Sequence, residues 1–424
     1  MTLRKPATLG SLAGSTVLTG SVVMLLGSGI VSAVNFGYNV VMARYLGPAD
    51  FGQVSAIATL LMIASALTIS FQLVCAKFVA RNESAWAKSK VFNSLLTRAW
   101  IAGAAVALAL FFLREPLSIW LKLPTNSLIT LLAVAVAFSL PMGVKRGGLQ
   151  GLCEFRALSL NFIVEAAAKF LVAVGIIYMG FGMLGAVGAI TASVMAAYLF
   201  MPVRFAAEEV APAGTQCVPA SFREGMQAIV FSVGQVIINN VDILLVKLFF
   251  DPRQAGLYAA VALVGRLLYF ASWQIVSAMF PISAAAKPDE KASKVLFTPM
   301  LMVSGITLVF GVILWFAPRF VITTVFGQEF LQASSLFGLY AVATGLYALS
   351  VVLMTYEMSR RIANTGWLQL AFSGVMVLMI TIFHDTLRQV IVVQIVLMTL
   401  LLLVVSIPFL RKTSSAGMDM REAA

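Results

Sequence analysis

Apolar runs of 18 or more residues recur from one end of this 424-residue chain to the other. Each is long enough to cross a ~30 Å hydrocarbon layer at 1.5 Å per residue. Only 11% of the residues are charged, against about 25% in a soluble domain. With 61% hydrophobic residues there is too little polar surface to wrap such a chain for water. The pattern predicts an all-α polytopic membrane protein. No series of short alternating segments of the kind a transmembrane barrel needs is present.

Twelve spans are expected, at 17–43, 53–76, 97–113, 127–144, 157–179, 183–203, 225–249, 257–280, 296–316, 333–356, 363–383 and 389–410. Val31-Ser32-Ala33 resembles a signal-peptidase site, but it lies deep and the apolar run continues to Ala43, so the first span is read as uncleaved. Of the 29 Lys and Arg, 20 fall on the N-terminal side of the membrane, seven on the other, and two, Lys169 and Arg266, inside spans. The positive-inside rule then puts both termini in the cytoplasm of a plasma (inner) membrane protein. The net charge of +12 is scattered over short loops, so it does not point to nucleic acid. RNESAWAKSKVFNSLL, from Arg81, reads as an amphipathic helix at the inner surface.

NVVMARYLGPADFGQVSA (39–56) has a twin in DILLVKLFFDPRQAGLYAA (242–260). Asn39 faces Asp242 and Arg44 faces Lys247. After one inserted residue, Pro48 faces Pro252 and Gly52 faces Gly256. Six spans separate the copies, so the halves have the same orientation and a pseudo-two-fold along the membrane normal. The expected domains are 1–204, a cytoplasmic linker 205–224, 225–410 and a cytoplasmic tail 411–424. At each corner the proline is expected to end the preceding helix, and the glycine to permit a tight turn before the next span. Arg44 and Lys247 are expected to snorkel at the outer interface.

Polar residues inside the spans are the candidate site. Ser28, Ser32, Asn35 and Asn39 share one face of span one, and Gln235, Asn239 and Asp242 one face of span seven. Two readings stand, a cavity lining and hydrogen bonds between helices. Asp242 and Arg266 lie ten residues from Pro252 and Gly256, at similar depth. They read as a structural ion pair, or Arg266 reads as the contact for an anionic substrate group. Glu165 and Lys169, at i and i+4, read as a self-neutralised pair or as an ion-coupling site. Cys75, Cys153 and Cys217 lack metal spacing, and His384-Asp385 has no nucleophile beside it. No Walker A, HExxH or GxSxG motif appears, so neither an ATP-driven pump nor a hydrolase is indicated, and no cofactor is expected.

Five segments resemble the polysaccharide flippases of the multidrug/oligosaccharidyl-lipid/polysaccharide exporter superfamily. They are ARYLGPADFGQVSA, RGGLQGLCEFRALS (146–159), NNVDILLVKLFFDPRQAGLYAA (239–260), MFPISAAA (279–286) and VFGQEFLQAS (325–334). The resemblance implies two six-helix lobes and alternating access. It implies a polyprenyl-pyrophosphate-linked oligosaccharide moved from inner to outer leaflet, coupled to H+ or Na+, in company with glycan polymerisation and export proteins. It implies a cavity lined by spans one, two, seven and eight, which here includes Asn39, Asp242 and Arg266. A drug exporter of the same fold is the alternative, and the short outer loops argue against a membrane glycan polymerase or ligase.

Overall fold

The structure, a computed structural model, describes residues 9–205, 222–285, 292–359 and 365–422. Most of the linker expected at 205–224 lies outside these residues. The described chain is helical, from α1 (Leu9–Arg81) through α2 (Ala85–Phe112), α3 (Arg114–Trp120), α4 (Ser127–Gly151), α5 (Phe155–Tyr178) and α6 (Gly182–Leu199). It continues with α7 (Phe222–Phe249), α8 (Pro252–Ala285), α9 (Ala292–Phe316), α10 (Pro318–Val325) and a 3-10 turn, Gln328–Ala333. The last three are α11 (Ser334–Ser359), α12 (Thr365–Ile382) and α13 (Leu387–Glu422).

Nine of the described helices are long and apolar enough to cross a membrane, and one of them, Val23–Arg81, has 59 residues. That is about twice the ~20 residues a single crossing needs, and it breaks at Gly47 (φ 70°, ψ 176°). Counting that helix as two, and adding the shorter apolar α12 and the 28-residue α7, the described residues supply twelve long helical segments, the number of spans expected. The chain is an all-α, polytopic membrane protein.

By contacts the chain divides into two units, 1–46 with 56–236, and 47–55 with 237–424. In the first unit α4 is the central helix, with 67% of its apolar window buried against 17% for α2 and α5. In the second, α11 is central at 72% and α9 peripheral at 6%. Each central helix is the fourth crossing of its set of six. Each is also preceded by a short non-spanning helix, α3 in one case and α10 in the other. The internal repeat therefore extends to packing order.

The centre of α4 is set by three glycines four residues apart. A Cβ on Gly143 would overlap the Thr68 carbonyl oxygen, one on Gly147 the Gln72 carbonyl oxygen, and one on Gly151 would lie 2.7 Å from that of Ala76. Small residues at this spacing let two helix backbones approach inside a membrane, where no hydrophobic effect drives them together. Thr68 Oγ1 donates to Ser139 Oγ (3.3 Å) and Gln72 Nε2 to Gln150 Oε1 (3.1 Å), bridging the same two helices.

Several expectations need correction. RNESAWAKSKVFNSLL does not form a separate surface helix: Ser84 caps the Ala87 N–H, and α2 then runs unbroken to Phe112. Arg146 is not on a loop; α4 continues through the KRGG sequence, because Gly147 and Gly148 are needed for close packing there, and buries Arg146. Lys247 does not snorkel outward but is fully buried near the end of α7.

Candidate functional site

The twin corners differ in detail from expectation. Gly47, in the left-handed region, ends the first half of α1, and Pro48 begins the next helix, where its missing N–H costs nothing. At the second corner Asp251 Oδ1 accepts from the Gln254 N–H (2.9 Å), capping α8, and Pro252 is again the first helical residue. Gly52 and Gly256 are not turn residues. Both are helical, and both serve a close crossing inside the second unit. A Cβ on Gly52 would lie 2.7 Å from Gly256 N. One on Gly256 would overlap the Pro48 oxygen and sit 2.5 Å from its carbonyl carbon. Phe51 packs edge-on to Phe330 of the 3-10 turn, with centroids 6.1 Å apart.

Inward from that corner, the second unit encloses a polar cavity of about 40 Å³. Asn239 and Asp242 on α7, Arg266 and Tyr269 on α8, Tyr340, Thr344 and Tyr347 on α11, and Gln394 on α13 contribute to its wall. Three of the candidates, Asn239, Asp242 and Arg266, are thus brought together. Asp242 is 2% exposed, and its Oδ2 accepts from both Tyr258 Oη and Tyr340 Oη (2.9 Å each). Gln394 Nε2 in turn donates to Tyr258 Oη (2.6 Å). Asp242 Oδ1 accepts no hydrogen bond. Tyr347 Oη accepts from Asn239 Nδ2 (3.1 Å) and Gln369 Nε2 (2.9 Å), and its ring stacks on Tyr269, itself stacked on Trp273. Gly265 makes room for Tyr340, whose ring a Cβ would meet.

The remaining candidates belong to the first unit. Asn39 Nδ2 donates to the Asn35 carbonyl oxygen (2.8 Å) and Ser28 Oγ to that of Leu25 (3.0 Å), so part of the span-one stripe bonds to its own helix. Gln235 is half-buried on α7, just before the division into units. Glu165 and Lys169 do not form the expected pair. Arg146 of α4 takes the Glu165 carboxylate in an ion pair and donates through Nε to Asn161 Oδ1 (2.7 Å), while its guanidinium stacks on Phe162. Asn161 Nδ2 reaches on to the Ala197 carbonyl oxygen (2.7 Å), so the network ties α4, α5 and α6. Lys169 lies over the Tyr38 ring, 4.8 Å from its centre.

Sequence reasoning missed the tyrosines, Gln369, Gln394 and Arg146. The glutamines were visible as isolated amides in apolar spans. The tyrosines were not separable from ordinary aromatic packing.

An apolar helical bundle with a polar, charged cavity in its interior defines the class, a polytopic helical membrane protein. The polysaccharide biosynthesis protein family matches residues 41–335, more than half of the chain, and the chain belongs to that family. Its structure is similar to that of the lipid II flippase MurJ in an inward closed conformation, with TM-score 0.75, 11% identity, and coverage of 92% of this chain and 87% of that one. It is also similar to an inward-facing multidrug resistance MATE transporter of the MOP superfamily, with TM-score 0.64, 15% identity, and coverage of 93% and 99%. A MOP superfamily transporter from Pyrococcus furiosus matches with TM-score 0.62 at 15% identity, covering 94% and 96%. These likenesses show that the chain shares the fold of these proteins. No curated protein sequence matches the chain.

Proposed function

We propose that this protein flips a polyprenyl-pyrophosphate-linked oligosaccharide from the inner to the outer leaflet of the plasma membrane by alternating access, with both termini cytoplasmic. The observation that carries this reading is Arg266, an arginine on the wall of a tyrosine-lined cavity within the bundle of a polysaccharide biosynthesis family protein. Guanidinium geometry suits phosphate oxygens, and an arginine inside a membrane span is costly enough to mark function. Aromatic faces such as Tyr269 and Trp273, and amides such as Asn239, are the usual partners of sugar rings. The cavity as it stands holds roughly two or three waters, not a glycan. It is the right size for a small cation, and Asp242 Oδ1 supplies an acceptor without a donor. We therefore place the coupling ion, H+ or Na+, at Asp242 rather than at Glu165, which Arg146 already neutralises.

The test is to follow the leaflet in which lipid-linked oligosaccharide accumulates, in cells lacking the protein and in cells carrying Arg266→Ala or Asp242→Asn. Deletion and Arg266→Ala are expected to trap it in the inner leaflet. Asp242→Asn is expected to retain binding but lose dependence on the ion gradient. Wild-type export by a well-folded Arg266→Ala protein overturns the assignment of Arg266.

A further inference from the structure

The polar network of the first unit leaves one cation over. α4 and α5 carry Lys145, Arg146, Arg156 and Lys169, four cations against the one carboxylate Glu165, and of these Arg156 is exposed near the start of α5. Glu165 is committed to Arg146. Lys145 Nζ donates to the Tyr198 carbonyl oxygen (2.7 Å) and lies over the Tyr198 ring. Among the described residues Lys169 has no carboxylate within ion-pair distance and no hydrogen-bond acceptor. Glu165, committed to Arg146, still acts on Lys169 electrostatically, but the direct contact of Lys169 is the Tyr38 face, and Tyr38 is held in place by its hydroxyl, which donates to the Ala186 carbonyl oxygen (3.0 Å). Lys169 is nine residues from the end of α5, roughly 14 Å along the helix axis, so it cannot reach water by extending along the span. The residue as a whole is half-buried. An ammonium in such a place costs free energy unless a ring or an anion compensates it, and a ring face compensates only part.

We propose that Lys169, seated on Tyr38, is an anion-binding residue that takes a phosphate group of the transported lipid. This rests on the flippase reading for the identity of the ligand, but not for the existence of the site. It is an assignment on span five, outside the helices from which the sequence drew its candidate cavity. The Arg146–Glu165 pair has a defined part in it. By holding the nearby carboxylate on Arg146, it keeps Lys169 available as a cation, where an i, i+4 pair would cancel it. Lysine acts here as a mobile point charge rather than a fixed fork, which suits a ligand that must be released on the other side.

The experiment measures binding of inorganic pyrophosphate to the purified full-length protein in detergent, with Lys169→Met, Lys169→Arg and Glu165→Gln beside wild type. Lys169→Met is expected to weaken binding at least tenfold and flatten its salt dependence, while melting at or above the wild-type temperature because an uncompensated charge has gone. Lys169→Arg is expected to restore most of the affinity. Glu165→Gln removes the local negative charge and is expected to tighten binding severalfold through Lys169, so the gain disappears when Lys169→Met is combined with it; a gain that survives in the double variant comes from the released Arg146 and overturns the assignment. Equal binding by wild type and a folded Lys169→Met protein overturns the site and leaves the flippase reading standing. Should Lys169→Met fail to fold, unchanged affinity in Glu165→Gln overturns it instead. Lys169-dependent binding in a protein whose deletion traps no lipid-linked glycan leaves the site standing and overturns the flippase reading.

Discussion

The crossing of the twin corners makes a sharp demand on Gly256. A methyl group there would overlap the Pro48 carbonyl oxygen and lie 2.5 Å from its carbon, and both are backbone atoms that cannot rotate away. Restoring ordinary contact, at about 3.5 Å between carbons, requires the corner and α8 to part by roughly 1–2 Å. Overpacking of a tight site costs about 1–3 kcal/mol, and parting the corner also loosens the edge-on Phe51–Phe330 contact, worth about 0.5–1.5 kcal/mol. Gly256→Ala is therefore expected to cost about 3 kcal/mol, a hundredfold shift toward a detached corner. Gly52→Ala, whose Cβ would lie 2.7 Å from Gly256 N, is expected to cost about 1–3 kcal/mol. Gly305→Ala is the control: nothing lies within 4 Å of its Cβ, so alanine is expected to be neutral or to gain up to about 1 kcal/mol of helix propensity. Thermal unfolding in detergent gives the ranking. Maleimide labelling of Val54→Cys, placed in a cysteine-free background at a buried corner position, reads the detachment directly. If Gly256→Ala melts with Gly305→Ala and Val54→Cys stays protected, the steric reasoning is wrong.

Two further outcomes are expected. Arg146→Met should destabilise the protein by about 3 kcal/mol, since it strands Glu165 and Asn161, whereas Arg146→Met with Glu165→Leu should recover most of the loss; a double-mutant cycle on melting curves decides this. In a variant with Cys217 replaced, a membrane-impermeant maleimide should label exposed Cys153 from the cytoplasmic face alone and leave buried Cys75 untouched; labelling from outside the cell would reverse the proposed orientation.

Span number was legible because apolar length is a one-dimensional signal, and the half-repeat because Pro48/Pro252 and Gly52/Gly256 keep their order. The same two features placed Asp242 and Arg266 at similar depth, and the structure puts both on one cavity wall. What was illegible depends on a partner helix. KRGG reads as a loop until Thr68, Gln72 and Ala76 are seen packed against the glycines of α4. Glu165 has an ideal local partner in Lys169, and it took a residue 19 positions away to claim it. Tyr258 and Tyr340 reveal themselves as donors only once Asp242 is seen between them.

The glycine ladder on α4 constrains motion as much as packing. Gly143, Gly147 and Gly151 seat against Thr68, Gln72 and Ala76, each four residues on from the last along both helices. A slip of one residue would bring Val144 or Gly148 to a seat made for its neighbour and swing the remaining contacts off the face. The next register that fits lies four residues away, roughly 6 Å along the axis. The second half of α1 and α4 are thus keyed like a shaft and its hub: they can turn together but cannot slide by small steps. Any rearrangement of the first unit carries this pair as one stiff piece and must bend elsewhere, and the nearest joint in the chain is the break at Gly47.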